Sequence, residues 1–208
     1  MTSKIPSEVS GQLRTASVNS KTGTTEGFTC NICGNEWDRF IEHWAGVCYL
    51  FVKEALGGYH IEPQRVILPL SEPSHSAGAN ASFSLLDGQV RLCPSVVEHK
   101  PGITLEKLTH EFTHGALAGF PEGDPFYEEG VVDYSVWVMA HAPVWKPWGR
   151  DMVEAAAFNI KCRRDRALKD LCDYDRKRWA GGLFCSTMHG PWIISKLKMR
   201  KLEGDLRW

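Results

Sequence analysis

Residues 110–114, with the sequence HEFTH, constrain the possible folds of this chain more than any other segment. Two histidines four residues apart project from one face of an α-helix, because positions i and i+4 differ by about 40° around its axis. Both imidazoles can then bind one metal ion, and Glu111 can accept a proton from a metal-activated water. Apolar residues along one side of this segment indicate a half-buried helix over about residues 104–118. They are Leu105, Leu108 and Phe112.

A second helix is predicted over about residues 125–140. Two of its carboxylates, Glu129 and Asp133, are four residues apart and share a helix face. A catalytic zinc site has three protein ligands and an open fourth position. We therefore expect Glu129 to be the third ligand and Asp133 to accept the outer N–H of a ligand histidine. Glu128 is interpreted as a solvated acid in the first turn, where the helix dipole favours negative charge.

Capping residues predict where these two helices begin and end. Thr104 can cap the first helix, and the sequence Gly119-Phe120-Pro121 ends it. Asp124 and Pro125 suit the N-cap and the first turn of the second helix.

The rest of the chain supports an α+β fold. Helical periodicity from residue 36 to residue 56 ends at Gly57-Gly58, and helical segments are also expected near Asp151 and near Pro191, after a loop over residues 142–150. Three short apolar segments predict a small mixed sheet, and Asp87-Gly88 predicts a hairpin between the last two. These segments are Arg65–Leu70, Ala79–Leu85 and Val90–Cys93.

Composition predicts a single folded domain preceded by a tail. Residues 1–28 are rich in Ser, Thr, Gly and Lys without apolar periodicity, which predicts a flexible N-terminal tail. Residues 29–208 show no internal repeat and no second domain boundary. With 43% hydrophobic and 24% charged residues, the chain has the composition of a soluble globular protein.

Charge and hydropathy exclude two classes of partner. The chain has 24 basic and 25 acidic residues, so its charge does not favour nucleic-acid binding. No apolar run approaches the ~18–20 residues that span a bilayer, and the first residues do not resemble a signal peptide. We expect a monomer that is cytoplasmic by default, with export by a signal-independent route as the alternative.

The two predicted helices resemble those of the gluzincin metallopeptidases. In that family HExxH is followed by a helix of the form W-x-x-E-G-x-A-x-Y, and this chain has FYEEGVVDY. The continuation EGVVDYSVWVMAHAPVW resembles the basic secretory protein peptidases and the peptidase-MA-like families, although Val132 replaces a small alanine. The resemblance covers about residues 65–150. It implies a zincin-like domain and a peptidase with one catalytic Zn²⁺ held by His110, His114 and Glu129.

The resemblance also implies positions for the substrate. Residues 79–83, ANASF, are similar to the edge strand that lines the gluzincin cleft, so an extended peptide would pair at Asn80 and Ala81. A donor to the oxyanion comes from a downstream Tyr or His in relatives. In this chain the candidate is His189, with Tyr174 as the alternative.

Several interpretations remain open at this point. Cys30 and Cys33 have a C-x-x-C spacing that suits half of a structural metal site, a local disulfide or plain thiols. Residues 1–28 suit a pro-segment as well as a tail. The chain as a whole also suits a catalytically silent peptidase-like binding protein, or a zinc hydrolase acting on a non-peptide bond.

Overall fold

The computed structural model describes most of the chain between Thr24 and Thr187, with side chains from Ile41 onward apart from residue 42. The described residues are 24–25, 28–31, 36–67, 81–92, 101–118, 124–169 and 172–187. They form a mostly helical α+β structure with one small mixed sheet, which confirms the predicted α+β class and the predicted small sheet. No helix in these ranges is long and apolar enough to cross a membrane.

The sheet has five short strands in the order β1-β2-β3-β5-β4. Strand β2 runs parallel to β3 and β3 parallel to β5, whereas β4 is antiparallel to β5, with Ala81 opposite Leu92. The predicted hairpin is therefore confirmed, and β4 lies at one end of the sheet. The strands are β1 (Thr24–Thr25), β2 (Phe28–Asn31), β3 (Arg65–Ile67), β4 (Ala81–Phe83) and β5 (Gln89–Leu92).

Strand β1 and the first residue of β2 lie within the segment predicted as a flexible tail. The β-branched side chains of Thr24 and Thr25 favour an extended backbone, which a reading of overall composition does not detect. Residues 1–23 lie outside the described part of the chain, so the tail and pro-segment predictions are not addressed there.

Helix α1 (Glu36–Leu56) packs against helix α2 (Pro101–Leu117), which carries the HEFTH segment. Helix α1 ends where predicted, because Gly57 has a positive φ of 84°. Helix α2 begins three residues earlier than expected, since Pro101 suits a first helical turn. Thr104 therefore lies buried inside the helix, and its predicted role as N-cap is wrong.

The surroundings of α2 make it the central helix of the structure. The three apolar residues predicted to bury it, Leu105, Leu108 and Phe112, are all fully buried. Besides α1, the helix contacts strands β4 and β5 and the next two helices along the chain. The side chains of the HEFTH segment thus project from a helix whose backbone is packed against other elements on several sides.

Helix α3 (Pro125–Ala140) has the predicted bounds and the predicted cap. The carboxylate of Asp124 accepts hydrogen bonds from the backbone N–H groups of Phe126 and Tyr127, at 3.0 and 3.3 Å. All residues from Gly130 to Ala140 are buried. The loop predicted over residues 142–150 contains a 3₁₀ turn, Pro143–Trp145, and helix α4 (Gly149–Leu168) begins before its end.

Helix α5 (Asp173–Thr187) was not predicted from the sequence. Two consecutive glycines, Gly181 and Gly182, argue against a helix on propensity alone. In the structure, however, α5 crosses α3 at close range. A Cβ atom at Gly130 would lie 1.6 Å from the carbonyl oxygen of Arg178, and one at Gly181 would lie 2.0 Å from that of Tyr127. Backbone packing thus explains the glycines at positions 130 and 181. The helix predicted near Pro191 lies outside the described residues.

Candidate metal centre

An open cavity of about 520 Å³ lies between the sheet and the helices. Strand β4 forms one wall with Ala81, Ser82 and Phe83, and helix α2 forms another with residues of the HEFTH segment. Helices α3, α4 and α5 also contribute polar side chains. Elements that are distant in the sequence therefore meet at one site.

Three side chains predicted as metal ligands come together on the wall of this cavity. The Nε2 atoms of His110 and His114 are 3.2 Å apart. An oxygen of Glu129 lies 3.3 Å from His114 Nε2, and its other oxygen lies 3.5 Å from His110 Nε2. In a tetrahedral zinc site with bonds of about 2.0–2.1 Å, neighbouring ligand atoms are about 3.3–3.4 Å apart. The donor set and its spacing therefore fit a zinc ion.

The electrostatics of this cluster favour a positive charge at its centre. Burial lowers the pKa of His114, but hydrogen bonds to Glu128 and Glu129 outweigh burial and raise that pKa to about 10. Burial raises the pKa of Glu129, but hydrogen bonds from His110 and His114 hold it well below its usual range. His114, beside two carboxylates, thus holds a proton strongly, and a metal cation can replace that proton.

Glu128 is not the solvated acid that the sequence suggested. Its side chain is only 14% exposed, and its Oε1 atom lies 3.1 Å from Nδ1 of His114. The interpretation was wrong because the rotation of α3 against α2 turns this residue inward. A carboxylate on the outer nitrogen fixes the tautomer of a ligand histidine and raises its basicity. Glu128 therefore orients His114 towards the ligand cluster.

Asp133 lies beside the other histidine, but it has a stronger partner. Its Oδ1 atom is 3.5 Å from Nδ1 of His110, and within the described residues this nitrogen is buried without a hydrogen bond. Arg178 on α5 donates from Nε and Nη2 to the two oxygens of Asp133, at 2.6 and 2.8 Å. Burial raises the pKa of Asp133, but the charge and hydrogen bonds of Arg178 lower it below its usual value. Asp133 is thus held ionised next to His110.

Glu111 has the surroundings of a general base. It lines the cavity with only 5% of its surface exposed. Burial raises its pKa, and the nearby imidazoles of His110 and His114 oppose this rise only in part. A raised pKa makes a carboxylate a better proton acceptor near neutral pH.

Two cavity residues come from α5, the helix that sequence reasoning missed. Nη1 of Arg178 lies 3.2 Å from an oxygen of Glu129, and it also donates to the hydroxyl of Tyr174. Tyr174, the alternative oxyanion donor, lines the same cavity. The only sequence signal for this pair was the four-residue spacing between Tyr174 and Arg178, which places them on one helix face.

The remaining predicted site residues are described only in part. Ala81 lines the cavity from β4, as expected for a strand next to the site. Asn80, His189 and Cys33 lie outside the described residues, and so does the side chain of Cys30. The alternatives for the C-x-x-C pair therefore stay predictions.

Comparison of the chain with protein-family models, with curated proteins and with solved structures finds no match in any of the three. The chemistry of the site is therefore interpreted from its own residues.

Proposed function

We propose that this protein is a zinc-dependent peptidase with a zincin-like domain of the gluzincin type. The observation that carries the proposal is the triangle of His110, His114 and Glu129 ligand atoms, with edges of 3.2–3.5 Å, on the wall of an open cavity that also holds Glu111. A zinc ion bound by these residues would polarise the scissile carbonyl and lower the pKa of the attacking water.

The side chains around the ligands support the remaining proton transfers. Glu111 accepts the proton of the attacking water and returns it to the leaving amine. Glu128 holds the ring of His114 through its Nδ1 atom. Asp133, fixed by Arg178, stabilises positive charge on His110.

Strand β4 and Tyr174 suit the binding of an extended peptide. An edge strand pairs with the backbone of a substrate and therefore provides affinity with little sequence selectivity. The hydroxyl of Tyr174 accepts a hydrogen bond from Arg178, so its own proton is available to an oxyanion in the cavity. This would place the peptide between Ala81 on one wall and Tyr174 on another.

The test is cleavage of a pool of mixed-sequence peptides by the zinc-loaded protein, followed by mass spectrometry. We expect the wild type to cleave peptide bonds and Glu111→Gln to lose at least about 100-fold in rate, the scale of general-base catalysis. Circular dichroism and zinc content establish that this variant is folded and loaded. Cleavage that survives Glu111→Gln would overturn the mechanism. A zinc-loaded wild type that cleaves no peptide would favour a binding protein or another zinc hydrolase.

A further inference from the structure

One part of the cavity wall carries positive charge that the proposed mechanism does not use. It consists of Lys107 on α2 with Asn159 and Arg163 on α4, and all three side chains line the cavity. We refer to these three residues as the cationic wall. Asn159 and Arg163 are four residues apart and share one face of α4.

A buried carboxylate holds the first two members of the cationic wall together. Glu106 is only 1% exposed. One of its oxygens accepts a hydrogen bond from Nδ2 of Asn159 at 3.2 Å, and the other lies 3.1 Å from Nζ of Lys107. Although burial lowers the pKa of Lys107, the charge of Glu106 outweighs burial and raises it, so that the ammonium group is charged. Glu106 thus fixes Lys107 from behind.

Arg163 is anchored in the same way by a different acid. Its Nη1 atom donates to Asp175 at 3.0 Å, and Asp175 is fully buried whereas the side chain of Arg163 is 30% exposed. The guanidinium also lies 5.2 Å from the ring centroid of Tyr174. Lysine has three N–H donors and arginine five, so each anchored cation retains donors for a ligand in the cavity.

The cationic wall lies close to the reacting groups. Lys107 precedes Glu111 by four residues on α2, which corresponds to an advance of about 6 Å along the helix axis. A cation at this distance from Glu111 is well placed to bind a charged group on the substrate residue next to the scissile bond. We propose that the cationic wall binds a carboxylate of the substrate next to the bond that is cleaved. This inference rests on the proposed peptidase function and gives it a substrate class.

The carboxylate can be the C-terminal α-carboxylate or an Asp or Glu side chain, and three peptide pools separate these sources. All contain N-acetylated octapeptides. The first two pools have one mixed composition without Asp or Glu, one with a free C-terminus and one with a carboxamide. The third has a carboxamide and a single internal Asp in an otherwise identical composition. We expect the zinc-loaded wild type to cleave one of the two acidic pools at least about tenfold faster than the plain carboxamide pool. Preference for the free C-terminus indicates an exopeptidase, and preference for the Asp pool indicates acidic side-chain selectivity.

Arg163→Gln is the main test variant, because Asp175 keeps Arg166 as a partner and the fold is expected to persist. Lys107→Gln is the second variant. The exposed Lys161, on α4 like Arg163, provides the matched control Lys161→Gln. We expect the tenfold preference to fall towards one in both test variants and to persist in the control. A wild type that cleaves all three pools equally would overturn the role of the cationic wall and leave the peptidase proposal intact.

A binding measurement tests the cationic wall without relying on catalysis. Isothermal titration calorimetry with N-acetylphenylalanine and its carboxamide compares wild type and Arg163→Gln at equal zinc content. We expect the wild type to bind the acid at least about tenfold more tightly than the variant does, with little difference for the carboxamide. Equal affinity of the two proteins for the acid would overturn the proposal, whether or not any peptide is cleaved.

Discussion

Two arginine–aspartate clusters on α5, three residues apart, have different surroundings. In the outer cluster, Asp175 accepts hydrogen bonds from Arg163 and Arg166 of α4, at 3.0 and 2.8 Å. In the inner cluster, Arg178 donates to Asp133 of α3, which faces a histidine of the candidate metal centre. Both clusters join α5 to a neighbouring helix, and the inner one contacts two residues of the candidate metal centre, Glu129 and His110.

The two clusters also differ in the solvent exposure of their arginines. The side chain of Arg166 is 54% exposed, whereas that of Arg178 is 9% exposed. Charges that are removed from water interact more strongly, and the loss of one partner leaves the other buried without compensation. The inner cluster is therefore expected to affect both stability and zinc binding, and the outer cluster to affect stability but not zinc binding.

The largest expected effect comes from Arg178→Gln. This change leaves Asp133 buried without its cation, so the free energy of unfolding should fall by about 3–5 kcal/mol. The zinc affinity should also fall, since Arg178 holds Glu129 directly and His110 through Asp133. Urea unfolding and a zinc titration measure the two effects. Arg178→Lys keeps the charge but not the paired hydrogen bonds, and it should be intermediate in both measurements.

Glu128→Gln is expected to lower zinc affinity with little effect on the stability of the metal-free protein. The amide cannot accept the N–H of His114 as strongly, so zinc affinity should fall by about 10–100-fold. The urea midpoint of the metal-free protein should change far less than in Arg178→Gln. The matched control is Glu154→Gln, at an exposed position on α4, which should change neither quantity. Unchanged zinc affinity in Glu128→Gln would contradict the role of Glu128.

The outer cluster should contribute to the pH dependence of stability. Burial raises the pKa of Asp175, but hydrogen bonds from Cys172 and Arg163 and the charges of the arginines lower it below its usual value. A lowered folded-state pKa stabilises the protein above the unfolded pKa of about 3.9, and the stabilisation is lost as the pH falls through the folded value.

Asp175→Asn should therefore lower the stability at neutral pH by about 1 kcal/mol, because both arginines still reach water. The variant should also lose part of the decline in stability that the wild type shows on acidification. Urea unfolding at several pH values between 7 and 3 measures both effects. A pH dependence identical to that of the wild type would show that Asp175 does not contribute.

The smallest effect is expected at an ion pair that is exposed to solvent and does not line the cavity. Arg150 and Glu154 are 88% and 62% exposed, although their contact is as short as 2.9 Å. Solvent screens such a pair. Arg150→Ala should therefore leave the melting temperature and the zinc affinity within experimental error. A clear destabilisation by Arg150→Ala would contradict the claim that burial explains the different expected effects of the two clusters on α5.

The sequence was informative where local signals agree with the fold. Helices α2 and α3 could be predicted because ligand spacing, apolar periodicity and the Asp124 cap all favour them. Helix α5 could not, because Gly181 and Gly182 disfavour a helix until the close crossing with α3 is known. Arg178 was missed with it.

The roles of individual acids also depended on packing. Glu128 and Glu129 are adjacent in the sequence, and only the rotation of α3 places one on the outer nitrogen of His114 and the other in the ligand cluster. Lys107 has no sequence signal that separates a solvated lysine from a cavity residue. Its place follows from Glu106 and from the approach of α4.

The most direct test of the central claim is the zinc content per chain, measured by elemental analysis after purification with zinc supplied. We expect zinc in the wild type and in the surface control Glu154→Ala. We expect one zinc fewer per chain in Glu129→Ala, with circular dichroism establishing that the variant is folded. A wild type without zinc, or a Glu129→Ala variant that holds as much zinc as the wild type, would contradict it.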